Sequence, residues 1–441
     1  MGMRGMRTSR ILIHLGLILV VLLSVVLSWF IWTNPARYEK TKQQSSRNST
    51  VIQNEQSNKS IGDIYLPTQV IYHQTDTNTH LINNTNVSLT DSIRSAIEKW
   101  HLRGVTRESV NSRKAYEKLI ARDETVMLKY PDSVTSGILN DAFDQKTQFS
   151  GKFSRIVFSV SKRNEVYLLN DTNYAIYKVR TTNQNLAQIK ELLSGNVQRF
   201  AVKETLINHR LMTNYENEVK VPEYSYLVNK QTAAYFVSTL MDSDNASSVT
   251  TKEQKGKTIY SDSNSKRMTI NNKRGTVFYE DLAGQQSYHE GTSKALSQSF
   301  TVLKRMEVPL DNMRYYRYDS EKNSVIYRSY VEGFPIFNQT DYGTVEVQIT
   351  GARTKQIDFS LYSLQIPVPT GKERTTLPST QTILNQLEAT GYKLSDINNI
   401  EIGYQWTANP SSDLVVNLTP TWYVNYKNQW ISYQKLIEQQ P

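Results

Sequence analysis

The residues that could do chemistry are few and scattered in this chain. Six histidines stand at positions 14, 73, 80, 101, 209 and 289, and none shares an HExxH or other metal-ligating spacing. Cysteine is absent, which removes disulfides, thiolate metal sites and cysteine nucleophiles together. The spacing Ser-x-x-Lys occurs at Ser159 and Lys162, at Ser263 and Lys266 and at Ser432 and Lys435. Acyl transfer by such a pair needs the serine at the start of a helix and the lysine one turn later on the same face. All three copies fall on expected strands or turns. A GxSxG elbow is missing, and Gly256-Lys257-Thr258 fails as a phosphate loop because position 251 is threonine where glycine is required. Asp242 and Asp244 sit together in a polar stretch, where two solvated charges are expected. The chain is expected to be no enzyme, with no catalytic residue, no cofactor and no metal.

The formal net charge of +10 first suggests an anionic partner, but its distribution argues otherwise. Arg4, Arg7, Arg10, Arg37, Lys40 and Lys42 face only Glu39 within residues 1–42, so about half of the excess lies at the N-terminus. The remainder is spread without any basic run long enough to track a phosphate backbone, and nucleic acid is not an expected partner.

Residues 11–32, ILIHLGLILVVLLSVVLSWFIW, carry no full charge. At ~1.5 Å per residue such a helix spans ~33 Å, enough for a hydrocarbon layer of ~30 Å. The end is aromatic rather than a small-residue cleavage site, so the segment is read as a retained single membrane span. The basic residues before it favour a cytoplasmic tail at 1–10, placing everything after residue 32 outside the cell membrane. Gly16, Ser24 and Ser28 fall within a ~120° arc at ~100° per residue and form a candidate partner-binding seam of small side chains. His14 is read as reaching toward the headgroups. Residues 33–60, rich in Gln, Asn and Ser, make a flexible stalk.

The remaining residues must supply the elements that position any site. With 27 Tyr and 6 Trp, strands are expected to be prominent. Patterning predicts a strand at 66–72, a helix over 88–102, a meander at 154–161, 165–169 and 174–180, and a helix over 186–193. A helix over 231–241 precedes hairpin strands at 257–260, 267–270 and 276–279. A helix over 293–306 is followed by strands at 313–318, 324–331, 344–350 and 356–364. A helix over 380–389 precedes strands at 400–406, 414–418 and 422–426. The class is α+β with mostly antiparallel sheets. Three extracytoplasmic domains are expected, at 61–205, 206–290 and 291–441.

Two aromatic runs stand out: YRSYVEGFPIF over 327–337, with a reversal at Gly333 and Pro335, and PTWYVNYKNQW over 420–430. Sheet packing explains both, and a sugar-binding aromatic face is the alternative, which would make the chain a membrane-anchored module for cell-wall glycan or peptidoglycan. With IEIGY at 400–404 between them, and SVVLSWFIW in the apolar span, the chain resembles the YycH (WalH) family. That resemblance implies a non-enzymatic membrane regulator of the YycG/YycF (WalK/WalR) two-component system. It implies contact with the essential sensor histidine kinase YycG (WalK), which controls cell-wall metabolism, and with a YycI (WalI)-like membrane partner. It also implies a C-terminal unit similar to YycI.

Overall fold

The computed structural model describes residues 59–439, apart from 76–77, 84–88, 110–111, 196, 208–209, 242–248, 263–264, 284–290, 307–311, 338–341, 352–354 and 370–373, together with Ser24. Residues 51–441 form one compact unit, distinct from residues 1–50. Among the described residues no helix is long and apolar enough to cross a membrane. The expected span at 11–32 lies outside them except for Ser24, which is helical and exposed. Gly16 and Ser28 are likewise outside.

The first sheet has nine strands: β1 (Gln69–Thr75), β2 (Asn78–Asn83), β3 (His101–Ser109), β4 (Thr125–Thr135), β5 (Lys152–Ser159), β6 (Val166–Asn170), β7 (Ala175–Thr182), β8 (Gln198–Ile207) and β9 (Arg210–Tyr215). Their order is β3-β7-β6-β5-β4-β1-β2-β8-β9, antiparallel throughout. The expected strand at 66–72 begins at Gln69 instead, because Pro67 has no amide to donate and the first bond across is from Thr68 to the Lys129 carbonyl at 2.9 Å. The expected helix over 88–102 stops at Ile97, and His101 already opens β3.

Both faces of this sheet are buried, and alternation along β4 shows how. Val126, Leu128 and Tyr130 face one core with the helices Leu89–Ile97, Ser136–Phe143, Leu186–Ser194 and Thr292–Arg305. Met127 faces a second core with the helices Arg113–Ile120, Thr380–Ala389 and Tyr433–Gln439. Ser112, Asn185 and Ser379 accept a backbone N–H three residues on, and so start their helices.

A two-stranded ribbon joins β10 (Val219–Val221) to β22 (Thr375–Leu377). The second large sheet holds β11 (Tyr224–Lys230), β12 (Thr250–Gln254), β13 (Lys257–Ser261), β14 (Lys266–Asn271), β15 (Thr276–Asp281), β16 (Met313–Asp319), β17 (Ser324–Val331), β18 (Phe334–Phe337), β19 (Thr344–Ile349), β20 (Lys355–Ser360), β21 (Tyr362–Val368), β23 (Ile397–Asn409), β24 (Ser412–Tyr426) and β25 (Gln429–Ser432). Its order is β12-β13-β14-β15-β20-β19-β17-β18-β23-β24-β11-β21, with β16 on β17 and β25 on β24. Strands from 224–281 and 313–432 thus share one sheet. The class is α+β with mostly antiparallel pairing, the exception being the parallel contact of β18 with β23 at Ile336–Tyr404 and Phe337–Gln405.

The two strands expected at 414–418 and 422–426 are one strand, β24. Pro420 sits opposite Tyr404 of β23, and on its other side β11 pairs only to Leu418 while β25 begins pairing at Tyr423. The missing proline amide therefore falls where no neighbouring strand asks for it.

Candidate functional site at the seam between the sheets

The three motifs that stood out in the sequence converge in space. The hairpin joining β17 to β18 turns on Glu332 (φ 50°) and Gly333 (φ 78°), the two positive φ values of a tight I′-type reversal. Asn83 of the first sheet donates to the Glu332 carbonyl and fixes this turn against β2. The hairpin delivers Phe337 onto β23, where a Cβ at Gly403 would lie 2.5 Å from the Phe337 ring. Glycine is thus needed in IEIGY for close approach of a ring rather than for a turn.

Phe337 stacks on Tyr423 at 4.3 Å between centroids, meets Trp430 at 4.9 Å and takes Tyr316 edge-on at 5.8 Å. Into this box β17 places the Arg328 guanidinium, 4.4 Å from the Phe337 centroid and 4.7 Å from that of Tyr316. Arg328 also donates to the Ile336 carbonyl and to Thr344 Oγ1, both at 3.1 Å. Such a desolvated cation–π contact is worth about 2 kcal/mol. The Tyr316 hydroxyl donates to Glu401 Oε2 at 3.1 Å.

Glu401 lies between Ile400 and Ile402, which face the second core, so period-two alternation sends its carboxyl the other way, to the side where Tyr316 meets it. It lines a polar cleft of about 490 Å³ with Lys129, Thr213, Gln69 and Asn425. Burial pushes its carboxyl up to about 7, opposed by the Tyr316 hydrogen bond and by the charges of Lys129 and Arg328. Across the cleft a different arrangement holds. Arg155, with no exposed side-chain surface, pairs with Asp171 at 2.8 Å and Glu204 at 2.7 Å. Lys129 Nζ lies 3.5 Å from Glu204 and donates to Thr213 Oγ1 at 2.6 Å, and Thr213 donates to Glu204 at 2.7 Å. Glu204 is as enclosed as Glu401, yet Arg155, Lys129 and these hydrogen bonds outweigh its desolvation and hold it down at about 2.

The sequence singled out the strands that carry Arg328 and Glu401 for their aromatics, not for their charges. A lone acid inside the apolar run Ile400-Glu401-Ile402 was the available signal. Lys129 and Arg155 lie on β4 and β5, and β4 was not expected at all. Pro131-Asp132 looks like a turn there, whereas the structure absorbs it in a register shift between Lys129 and Val134.

The other sequence candidates are dispersed. His73, His80 and His101 stand on three strands, and His73 Nε2 is 3.8 Å from Asp123. Among the described residues no three acidic or histidine side chains are grouped to hold a metal. His14, His209, His289, Asp242, Asp244 and Ser263 lie outside the described residues. Ser159 Oγ accepts the amides of Ser161 and Lys162 and shapes a hairpin turn, as expected. Ser432 departs from expectation: it ends β25 directly before the helix Tyr433–Gln439, which contains Lys435. The pair therefore has the strand-to-helix setting that the sequence denied it. The serine is buried at 9% exposure opposite Tyr423. Most aromatics of the two runs are inward: Trp422, Tyr423, Tyr327, Tyr330, Phe334 and Phe337 are buried, Tyr426 and Trp430 are half-buried, and Trp422 donates to the Pro378 carbonyl at 3.0 Å. They pack the sheet rather than form a solvent-facing strip.

Comparison with known proteins decides the family. The model described as YycH protein, N-terminal domain, matches residues 12–197, and that described as YycH protein, C-terminal domain, matches residues 212–439. The chain belongs to the YycH family. Its fold is similar to the crystal structure of YycH from Bacillus subtilis, with a TM-score of 0.69 and 16% sequence identity over 85% of this chain and 97% of that one. At that identity the likeness to the Bacillus YycH is one of fold. No curated protein matches the chain in sequence. The runs IEIGY and YRSYVEGFPIF meet in one construction, the Phe337 ring on Gly403 with Arg328 above it.

Proposed function

We propose that the chain is a non-enzymatic regulator, anchored in the cell membrane by residues 11–32 with its N-terminus in the cytoplasm and its folded part outside. It modulates the sensor histidine kinase YycG (WalK) of the two-component system that controls cell-wall metabolism, and it acts with a YycI (WalI)-like membrane partner. Family membership over both halves of the chain is the observation that carries this reading. The inward aromatics favour it over a glycan-binding module, which needs exposed rings to stack on sugars.

Within the membrane, association depends on close packing at small side chains, and Gly16, Ser24 and Ser28 offer that seam. Isolation of the full-length chain from detergent-solubilised membranes should recover the kinase and the YycI-like protein. The triple substitution Gly16→Leu, Ser24→Leu, Ser28→Leu should insert normally and weaken that recovery. Loss of neither partner in the triple variant would assign the contact to the folded part. Failure of the unaltered chain to recover either protein would overturn the reading.

A further inference from the structure

Glu401 is a carboxyl for which the seam provides no dedicated cation. From β17, Arg328 is held between Phe337 and Tyr316 and donates to the Ile336 carbonyl and Thr344. From β4, Lys129 is held by Thr213 and Glu204. Arg317 of β16 stays on Asp319, 3.3 Å away. The remaining groups that face Glu401 are phenols: Tyr316 of β16, Tyr330 of β17 and Tyr215 of β9, all pushed upward by burial and neutral at any ordinary pH. Its neighbours on β24, Tyr423 and Asn425, and Phe337 of β18 and Trp430 of β25 carry no charge. Across the cleft Asp132 of β4 is a second enclosed carboxyl, raised by burial but satisfied by the amides of Tyr318 and Ser133 at 2.9 and 2.7 Å. Beyond the Tyr316 hydroxyl and the charges of Lys129 and Arg328, which have other partners, water entering the cleft is left to solvate an ionised Glu401.

The cleft lies where the two large sheets meet. Thr68, Gln69 and Lys129 line it from the first sheet, and Tyr316, Asn425 and Glu401 from the second. The same seam is closed by the Tyr318 amide on Asp132 and the Tyr315 hydroxyl on the Ser133 carbonyl at 3.1 Å.

We propose that Glu401 is a proton-operated latch between the sheets. Neutral, it lets the seam close around it; ionised, it draws water into the cleft and loosens β4 against β16. A carboxyl whose folded value lies above its ordinary value of 4.5 costs no stability below pH 4.5 and destabilises increasingly as pH rises through about 7. Among the described residues no histidine lines the cleft.

Hydrogen–deuterium exchange on the full-length protein in detergent tests it. Comparison of the natural chain with Glu401→Gln at one pH cancels the intrinsic chemistry of exchange. Peptides covering β4 and β16 should exchange alike in the two proteins at pH 4, and about three- to tenfold faster in the natural chain at pH 8. A ratio unchanged between the two pH values overturns the latch. Should Glu401→Gln fail to fold, the natural chain suffices: exchange in β4 and β16, corrected for intrinsic rate, should rise across pH 7 relative to β6. Parallel behaviour of the three strands overturns it equally.

Discussion

Two carboxylates enclosed in one seam behave in opposite ways. Glu204 has Arg155 at 2.7 Å and Lys129 at 3.5 Å and stays ionised to about pH 2, whereas Glu401 has one phenol and is neutral up to about 7. Burial alone therefore does not set the charge of a carboxyl. What decides is whether a cation is left over once its other obligations are met, and in this seam Arg155 and Lys129 are spent on Glu204 and Asp171.

The sharpest way to break the contrast is Arg155→Met. It leaves Glu204 enclosed with Lys129 as its remaining cation and strips Asp171, a quarter exposed, of its ion pair, and should cost about 3–5 kcal/mol in urea unfolding. A loss below 1 kcal/mol would show that the cluster is not desolvated. Next comes acid. A carboxylate depressed from 4.5 to about 2 contributes stability that is present above pH 4.5 and is lost as pH falls through 2, up to about 3 kcal/mol. Melting curves between pH 5 and 2 should fall more steeply for the natural chain than for Glu204→Gln, the reverse of the trend expected at Glu401. The smallest effect is expected from Arg328→Lys, which keeps the charge but loses the planar fork and its stacking on Phe337 and Tyr316. About 1–2 kcal/mol should disappear, with Glu401 still titrating near neutrality.

Legibility of the fold followed local rules. The meander β5–β6–β7 was readable because its strands are rich in β-branched and aromatic residues and Asn164 (φ 65°) supplies the turn. Pro420 split one strand into two expected ones, and Pro131-Asp132 lies in a stretch for which no strand was read; where a neighbour strand stops and where the register shifts decide both. Those are facts of the sheet, not of the segment. The site was half legible in the same sense. YRSYVEGFPIF, IEIGY and PTWYVNY were each visible as packing motifs, but that Arg328, Glu401 and Tyr423 meet depends on pairings across as many as 95 positions of chain between 328 and 423.

The contact between β18 and β23 has a mechanical consequence. The pairing of β23 with β24 runs from Ile397 to Asn409, whereas among the described residues the ladder that ties the β12–β20 half of the sheet to the β11–β24 half has two rungs, at Ile336 and Phe337. A parallel ladder that short resists little shear. Tension drawn across the sheet would part it there first, against the Phe337 ring clamped on Gly403.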